Sequence, residues 1–121
     1  MLICLGLVFL APHSLAEKKP TWDFRYKPIK AEYAIYAGTL GEPKEPTQSE
    51  RRISIAITGS AAKEIFNSIG PDIPDTCGSE DGGRVRRKDQ LSCIFHRDDK
   101  SYTCYLGFDL GSGKSIAGAI C

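Results

Sequence analysis

The sequence predicts a single small α+β domain in which an antiparallel sheet of about five strands carries one short helix packed on one face. Three observations support this prediction. Apolar residues alternate strictly at Ile53, Ile55 and Ile57, which is typical of a half-buried strand. Residues 60–69 combine helix-favouring residues with apolar side chains at helical spacing. The last third of the chain holds three strand-like runs separated by tight-turn sequences, at residues 91–96, 102–110 and 115–121.

The first sixteen residues have the features of a secretory signal peptide. Residues 2–10 form an apolar run that is too short to span a bilayer, and Ser14 and Ala16 are small residues at the positions read by signal peptidase. No Lys or Arg precedes the apolar run, which suggests that the true start lies upstream. We therefore expect bacterial-type export, to the periplasm or the medium, and one mature domain covering residues 17–121.

The cysteines predict a disulfide-stapled C-terminal half. Removal of the signal leaves four of the five cysteines, and an even set in a small exported chain is typical of disulfides. Turns centred between residues 98 and 99 and between residues 112 and 113 place Cys104 opposite both Cys93 and Cys121. If both turns have two residues, Cys104 and Cys121 form a non-hydrogen-bonded pair of the antiparallel ladder, in which the side chains are closer. This favours Cys104–Cys121 with Cys77–Cys93, over Cys93–Cys104 with Cys77–Cys121.

The remaining elements follow in chain order. Residues 22–27 alternate aromatic and charged residues and predict a strand whose rings share one face, and residues 32–38 predict the next strand. Residues 39–50 contain two prolines and predict an exposed loop. Ser60 is a good N-cap for the helix, and Gly70 and Pro71 end it. We expect Ile65, Phe66 and Ile69 of that helix to pack against the meander, on Leu91, Phe95, Leu106 and Phe108. Residues 72–83 predict a second loop, and the basic run that follows begins a short strand.

The sequence contains parts of two catalytic motifs, and neither motif is complete. Ser60 and Lys63 have the Ser-x-x-Lys spacing of serine penicillin-recognising enzymes, but the chain lacks the Ser-Asp-Asn and Lys-Thr-Gly partners of that site. Gly113-Lys114-Ser115 resembles the end of a phosphate-binding loop, but the leading glycine is missing and no helix follows. The sequence therefore predicts a protein that is not an enzyme and uses no cofactor.

Metal chemistry is also not favoured. Asp72, Asp75, Glu80 and Asp81 supply oxygen ligands in a glycine-containing loop, but their spacing does not match an EF-hand. His96 is the only histidine of the predicted mature chain, and a lone histidine beside a turn does not form a metal site. We predict no metal site.

Two groups of residues are candidates for partner binding. Arg84, Arg86 and Arg87 belong to the densest basic cluster and could hold a carboxylate or a phosphate on a partner. The favoured interpretation is that Glu80, Asp81 and Asp89 neutralise the cluster within the fold. Trp22 and Phe24 could form an aromatic strip for a protein or a sugar, but rings of this kind more often cover one side of the core.

The balance of 16 basic and 15 acidic residues does not provide the electrostatic surface that nucleic-acid binding requires. We also expect no stable membrane span. The sequence favours an exported protein-binding module of inhibitor or immunity type, whose partner lies in the envelope or outside the cell. The alternative is an envelope structural or glycan-binding module.

Overall fold

The computed structural model describes residues 6–10 and 22–120 and confirms the α+β class. Within the described residues the sheet has more strands than the predicted five, and two of them have only two residues each. The strands are β1 (Lys30–Gly38), β2 (Pro43–Lys44), β3 (Arg52–Thr58), β4 (Arg84–Lys88), β5 (Leu91–His96), β6 (Ser101–Asp109) and β7 (Ser115–Ile116), with one helix α1 (Gly59–Ser68). The order across the sheet is β2-β1-β3-β6-β5-β4, every pairing is antiparallel, and β7 pairs with β6.

Helix α1 covers one face of the sheet and forms the main core. Ala62 and Phe66 are fully buried against Ile57, Cys93 and Cys104. The predicted helix contacts with Phe95 and Leu106 are confirmed. Phe108 is 37% exposed instead, and Leu91 is not part of the core cluster. The predicted N-cap is also wrong, because the helix begins at Gly59 and Thr58 occupies the cap position.

Parts of the opposite face of the sheet are covered as well, which the sequence did not predict. Val85 is 2% exposed beneath the loop before β4, and Ile73 donates its backbone N–H to the Val85 carbonyl at 2.8 Å. Farther along the sheet, Ser54 Oγ donates to the Gly118 carbonyl. Gly118 passes so close to the Leu106 backbone that any Cβ there would overlap it. This approach explains why residues 117–120 do not continue as the predicted strand 115–121: they cross the face of the sheet.

The disulfide between Cys93 and Cys104 corrects the favoured pairing. The predicted register is right, since these residues lie directly opposite each other. The turn, however, spans four residues, 97–100, so the first residue pair of the ladder is His96 with Ser101. Hydrogen-bonded and non-hydrogen-bonded pairs therefore exchange places relative to the prediction. The Cα atoms of Cys93 and Cys104 are 4.0 Å apart, as on a non-hydrogen-bonded rung. Cys77 is also disulfide-bonded, and Cys121 lies outside the described residues.

The second predicted register is wrong by two residues. Phe108 pairs with Ser115, so the turn is centred between Gly111 and Ser112. Asp109 fixes this turn, because its carboxylate accepts the Ser112 N–H at 2.9 Å and its carbonyl accepts the Gly113 N–H at 2.8 Å.

The predicted loop 39–50 is mostly confirmed, apart from the two-residue strand β2 within it. Arg52 holds the loop closed by donating to Glu50 at 2.7 Å and to the Gly38 carbonyl at 3.0 Å. Glu50 in turn accepts the Gly38 N–H at 2.9 Å. The Arg52 guanidinium and this N–H lower the pKa of Glu50.

Most of the predicted signal peptide lies outside the described residues. Within the described part of it, Leu7, Val8, Phe9 and Leu10 are between 80% and 89% exposed. The signal peptide stays a prediction. Among residues 6–10 and 22–120, no helix combines the length and apolarity needed to cross a bilayer.

Candidate partner-binding surface

Residues 22–29 form a segment outside the sheet that leads into β1, and we call it the aromatic arm. The predicted strand over residues 22–27 is absent, since no strand of the described chain pairs with this segment. Pro28 lacks the N–H that a sheet ladder needs, and β1 begins two residues after it.

The rings of the aromatic arm are exposed and contact one another. Trp22 is 85% exposed, Phe24 is 71% exposed and Tyr26 is 89% exposed. The ring centroids of Trp22 and Phe24 are 6.2 Å apart with the planes at 48°, and those of Phe24 and Tyr26 are 5.5 Å apart at 70°. The favoured interpretation of these rings as core cover is therefore wrong, because they pack on each other and not on the sheet.

Charged side chains alternate with these rings. Arg25 and Asp23 form a surface ion pair at 2.9 Å. An open hollow of about 620 Å³ lies between the arm and Glu64 of helix α1. The hollow is thus lined by aromatic rings and by charged side chains of both signs. Aromatic residues and Arg are enriched at protein interfaces.

The arginine cluster divides into two parts. Arg84 and Arg86 both bind Asp72, each with Nε to carboxylate distances of 2.7 Å. Hydrogen bonds from these two arginines lower the pKa of Asp72 to about 2, and the larger contribution comes from Arg84. Neutralisation within the fold is thus confirmed for this pair, but its acidic partner is Asp72 and not Glu80, Asp81 or Asp89.

Arg86 also closes the C-terminal end of helix α1. Its Nη1 donates to the carbonyls of Phe66 at 2.8 Å and Ile69 at 3.0 Å, and its guanidinium carbon lies 4.3 Å from the centroid of the Phe66 ring. These carbonyls lack partners within the helix. Arg86 is therefore part of the scaffold. Arg87 faces the other side of the sheet, where it lines a hollow with Ile94 and Ile120.

The remaining candidate residues lie apart from these surfaces. Ser60 and Lys63 are exposed in the first turns of helix α1, and no hydrogen bond joins them. His96 Nε2 lies 3.1 Å from Thr103 Oγ1. Glu80 accepts the Gly78 N–H at 2.7 Å, so its carboxylate binds the backbone of its own loop. Across residues 6–10 and 22–120, no cluster of His, Cys, Asp and Glu is arranged to hold a metal ion.

Sequence reasoning missed two exposed apolar residues, one at the end of the arm and one on β1. Ile29 is 55% exposed and Tyr33, on β1, is 72% exposed. The alternation around Tyr33 predicts a strand but does not indicate whether that strand lies at an edge. The charged neighbours Lys30 and Glu32 are the available signal, since charges are common on edge strands.

Comparison with protein-family models, with curated proteins and with solved structures finds no match to this chain.

Proposed function

We propose that this chain is an exported, non-enzymatic protein-binding module of inhibitor or immunity type that engages its partner through the aromatic arm. The observation that carries the proposal is the exposure of Trp22, Phe24 and Tyr26 in one continuous strip. Exposed apolar surface of this kind commonly marks an interaction site. Trp, Tyr and Arg are the side chains that most often dominate binding energy in protein interfaces.

The arm and its setting are suited to a protein partner. Asp23, Arg25 and Lys27 alternate with the rings and would provide the polar rim that surrounds a buried aromatic centre. The arm adjoins a sheet that is fastened by the Cys93–Cys104 disulfide, so the surface is presented on a stapled scaffold.

The alternative function, a glycan-binding or envelope structural module, would use the same rings. Stacking on a sugar is best served by rings that share one plane. Here neighbouring planes are inclined by 48° and 70°, so a sugar could stack on one ring at a time. This inclination favours a protein partner, whose side chains can pack into the angles between the rings.

Affinity capture with matched baits tests the proposal. The oxidised mature chain is immobilised beside a Trp22→Ala/Phe24→Ala variant and a Leu110→Ala control, which removes an exposed apolar residue far from the arm. All three baits are exposed to an envelope extract, and captured proteins are identified by mass spectrometry. We expect the wild type and the control to retain the same stoichiometric protein and the double variant to lose it.

Retention of that protein by the double variant would contradict a role for the arm. Retention of the wild type on glycan-coated beads, without a protein partner, would favour the alternative. Covalent labelling of Ser60 by a serine-reactive probe, lost in Ser60→Ala, would contradict the non-enzymatic part of the proposal. Circular dichroism of every bait ensures that a loss of binding is not a loss of folding.

A further inference from the structure

Within the described part of the chain, the outer edge of β1 is open over most of its length. Strand β2 pairs with Ala37 and Gly38 only. Between Lys30 and Tyr36, no strand in the described part of the chain pairs with that edge. A long open edge exposes a row of unpaired backbone N–H and C=O groups, which is a template for another strand.

The hydrogen-bond alternation identifies the residues whose backbone groups point outward. The Leu110 N–H donates to the Arg51 carbonyl at 2.9 Å, and this pair lies on the same register that joins Ile57 to Cys104. The odd-numbered residues of β3 therefore direct their backbone groups toward β6.

The residues of β1 that lie opposite these β3 residues must direct their backbone groups away from β3, toward the open edge. These partners are Ala31, Tyr33 and Ile35, which lie opposite Ile57, Ile55 and Ile53. The short strand β2 agrees with this assignment. Ala37 belongs to the same series and lies opposite Lys44, while Pro43, which has no N–H, lies opposite Gly38. Three residues of β1 thus offer both a donor and an acceptor to an added strand.

The side chains of β1 are self-complementary in one antiparallel register. If Ala31 faces Ala31 of a second copy, Lys30 lies opposite Glu32 of that copy, and Glu32 lies opposite its Lys30. These are non-hydrogen-bonded positions, where facing side chains approach most closely. The same register places Tyr33 opposite Ile29 of the second copy, so two exposed apolar residues cover each other.

The neighbouring registers lack this match. Moving the strands by two residues in relative register places Glu32 opposite Glu32, which is repulsive. A further shift of two places Tyr33 opposite Tyr33 and Glu32 opposite Ala34, so both charge pairs are lost. Odd shifts fail because an outward-pointing residue would face one whose backbone groups point inward.

We propose that a second copy of this chain docks along β1, with the two-fold axis at Ala31 and one antiparallel sheet continuous across both subunits. Strand β2 already occupies Ala37 and Gly38. In this register residues 30–32 pair within β1 of both copies, and pairing as far as Ile35 would add residues 27–29 of the second copy to its strand. The Trp22 and Phe24 rings remain outside the paired stretch. The dimer is independent of the proposed function and would present two aromatic arms.

Charge reversal at the two pairs provides the test. Lys30 and Glu32 are both exposed, so substituting them leaves the core intact. The oligomeric state of the mature chain, Glu32→Lys and the swapped Lys30→Glu/Glu32→Lys is measured by sedimentation velocity over a range of concentrations. Thr39→Ala, an exposed change in the loop after β1, is the control.

We expect the wild type, the control and the swapped variant to form dimers. We expect Glu32→Lys to weaken dimerisation about tenfold or more, because two reciprocal pairs change from attraction to repulsion. A wild type that stays monomeric at every concentration would overturn the proposal. Equal dimerisation by Glu32→Lys, or failure of the swap to restore it, would overturn the register. Far-UV circular dichroism verifies that each variant is folded.

Discussion

Removal of the Arg86 side chain is expected to destabilise the fold through the end of helix α1. Arg86 donates to the carbonyls of Phe66 and Ile69, lies over the Phe66 ring and binds Asp72. Its side chain is 19% exposed, so water cannot fully replace these contacts. In Arg86→Ala, the two carbonyls, which lie in partly buried surroundings, lose their donor.

The structure sets the size of the effect. Each hydrogen bond to a helix carbonyl contributes about 1 kcal/mol. The contact between the guanidinium and the ring contributes about 0.5–1 kcal/mol. Asp72 retains Arg84, so the ion pair adds little to the loss. We therefore expect Arg86→Ala to lower the free energy of unfolding by about 3 kcal/mol, which corresponds to a fall in Tm of about 10–20 °C.

Urea denaturation followed by circular dichroism measures this loss. Arg86→Lys is expected to recover only part of it, since an ammonium cannot stack on Phe66 and reach two carbonyls together. Lys88→Ala, which removes an exposed basic residue from the same strand, is the control and is expected to cost less than about 0.5 kcal/mol. If Arg86→Ala were no less stable than Lys88→Ala, the assignment of Arg86 to the scaffold would be wrong.

Three further predictions follow from contacts described above. The Cys93→Ala/Cys104→Ala variant should lose about 3 kcal/mol in guanidinium unfolding, because the bond closes a loop with a sequence separation of 11; an unchanged midpoint would contradict this. Trp22 is the only tryptophan and should be quenched by acrylamide as readily as free indole in the folded protein, whereas protection would mean that the ring is covered. Asp72 has its pKa held at about 2, below its ordinary value, so its ionised form stabilises the folded state above about pH 4 and that contribution is lost as the pH falls toward 2. Because Asp72 is substantially exposed, we expect the free energy of unfolding of the wild type to fall by only about 1 kcal/mol more than that of Asp72→Asn over that range. Parallel pH profiles for the two proteins would contradict a stabilising role of the ion pairs of Asp72 with Arg84 and Arg86.

The sequence predicts the parts of the fold that depend on local periodicity. Alternation at Ile53, Ile55 and Ile57 locates β3, and the helical spacing of Ala62 and Phe66 locates α1 to within one residue at each end. These patterns are reliable because burial on one face of an element is a local property of its sequence.

Properties that depend on which elements meet were not predictable in the same way. The pairing of Cys93 depended on whether its turn has two or four residues, and the sequence of the turn permits both. The exposure of Trp22 depended on whether a strand would pair with the arm, and that is decided by Pro28 and the rest of the sheet. The acidic partner of Arg86 was missed because Asp72 lies on another segment, brought alongside β4 by the loop between them.

The order of the strands also has a consequence for folding kinetics. Strands β4, β5 and β6 are joined by short turns, so the C-terminal meander requires only local loop closure. By contrast, β6 meets β3 by pairing Arg52 with Asp109 and Thr58 with Thr103, across the whole intervening chain. Contacts of such sequence separation slow folding. Docking of β3 onto β6 is therefore the step expected to limit the folding rate, with the meander formed earlier as its template.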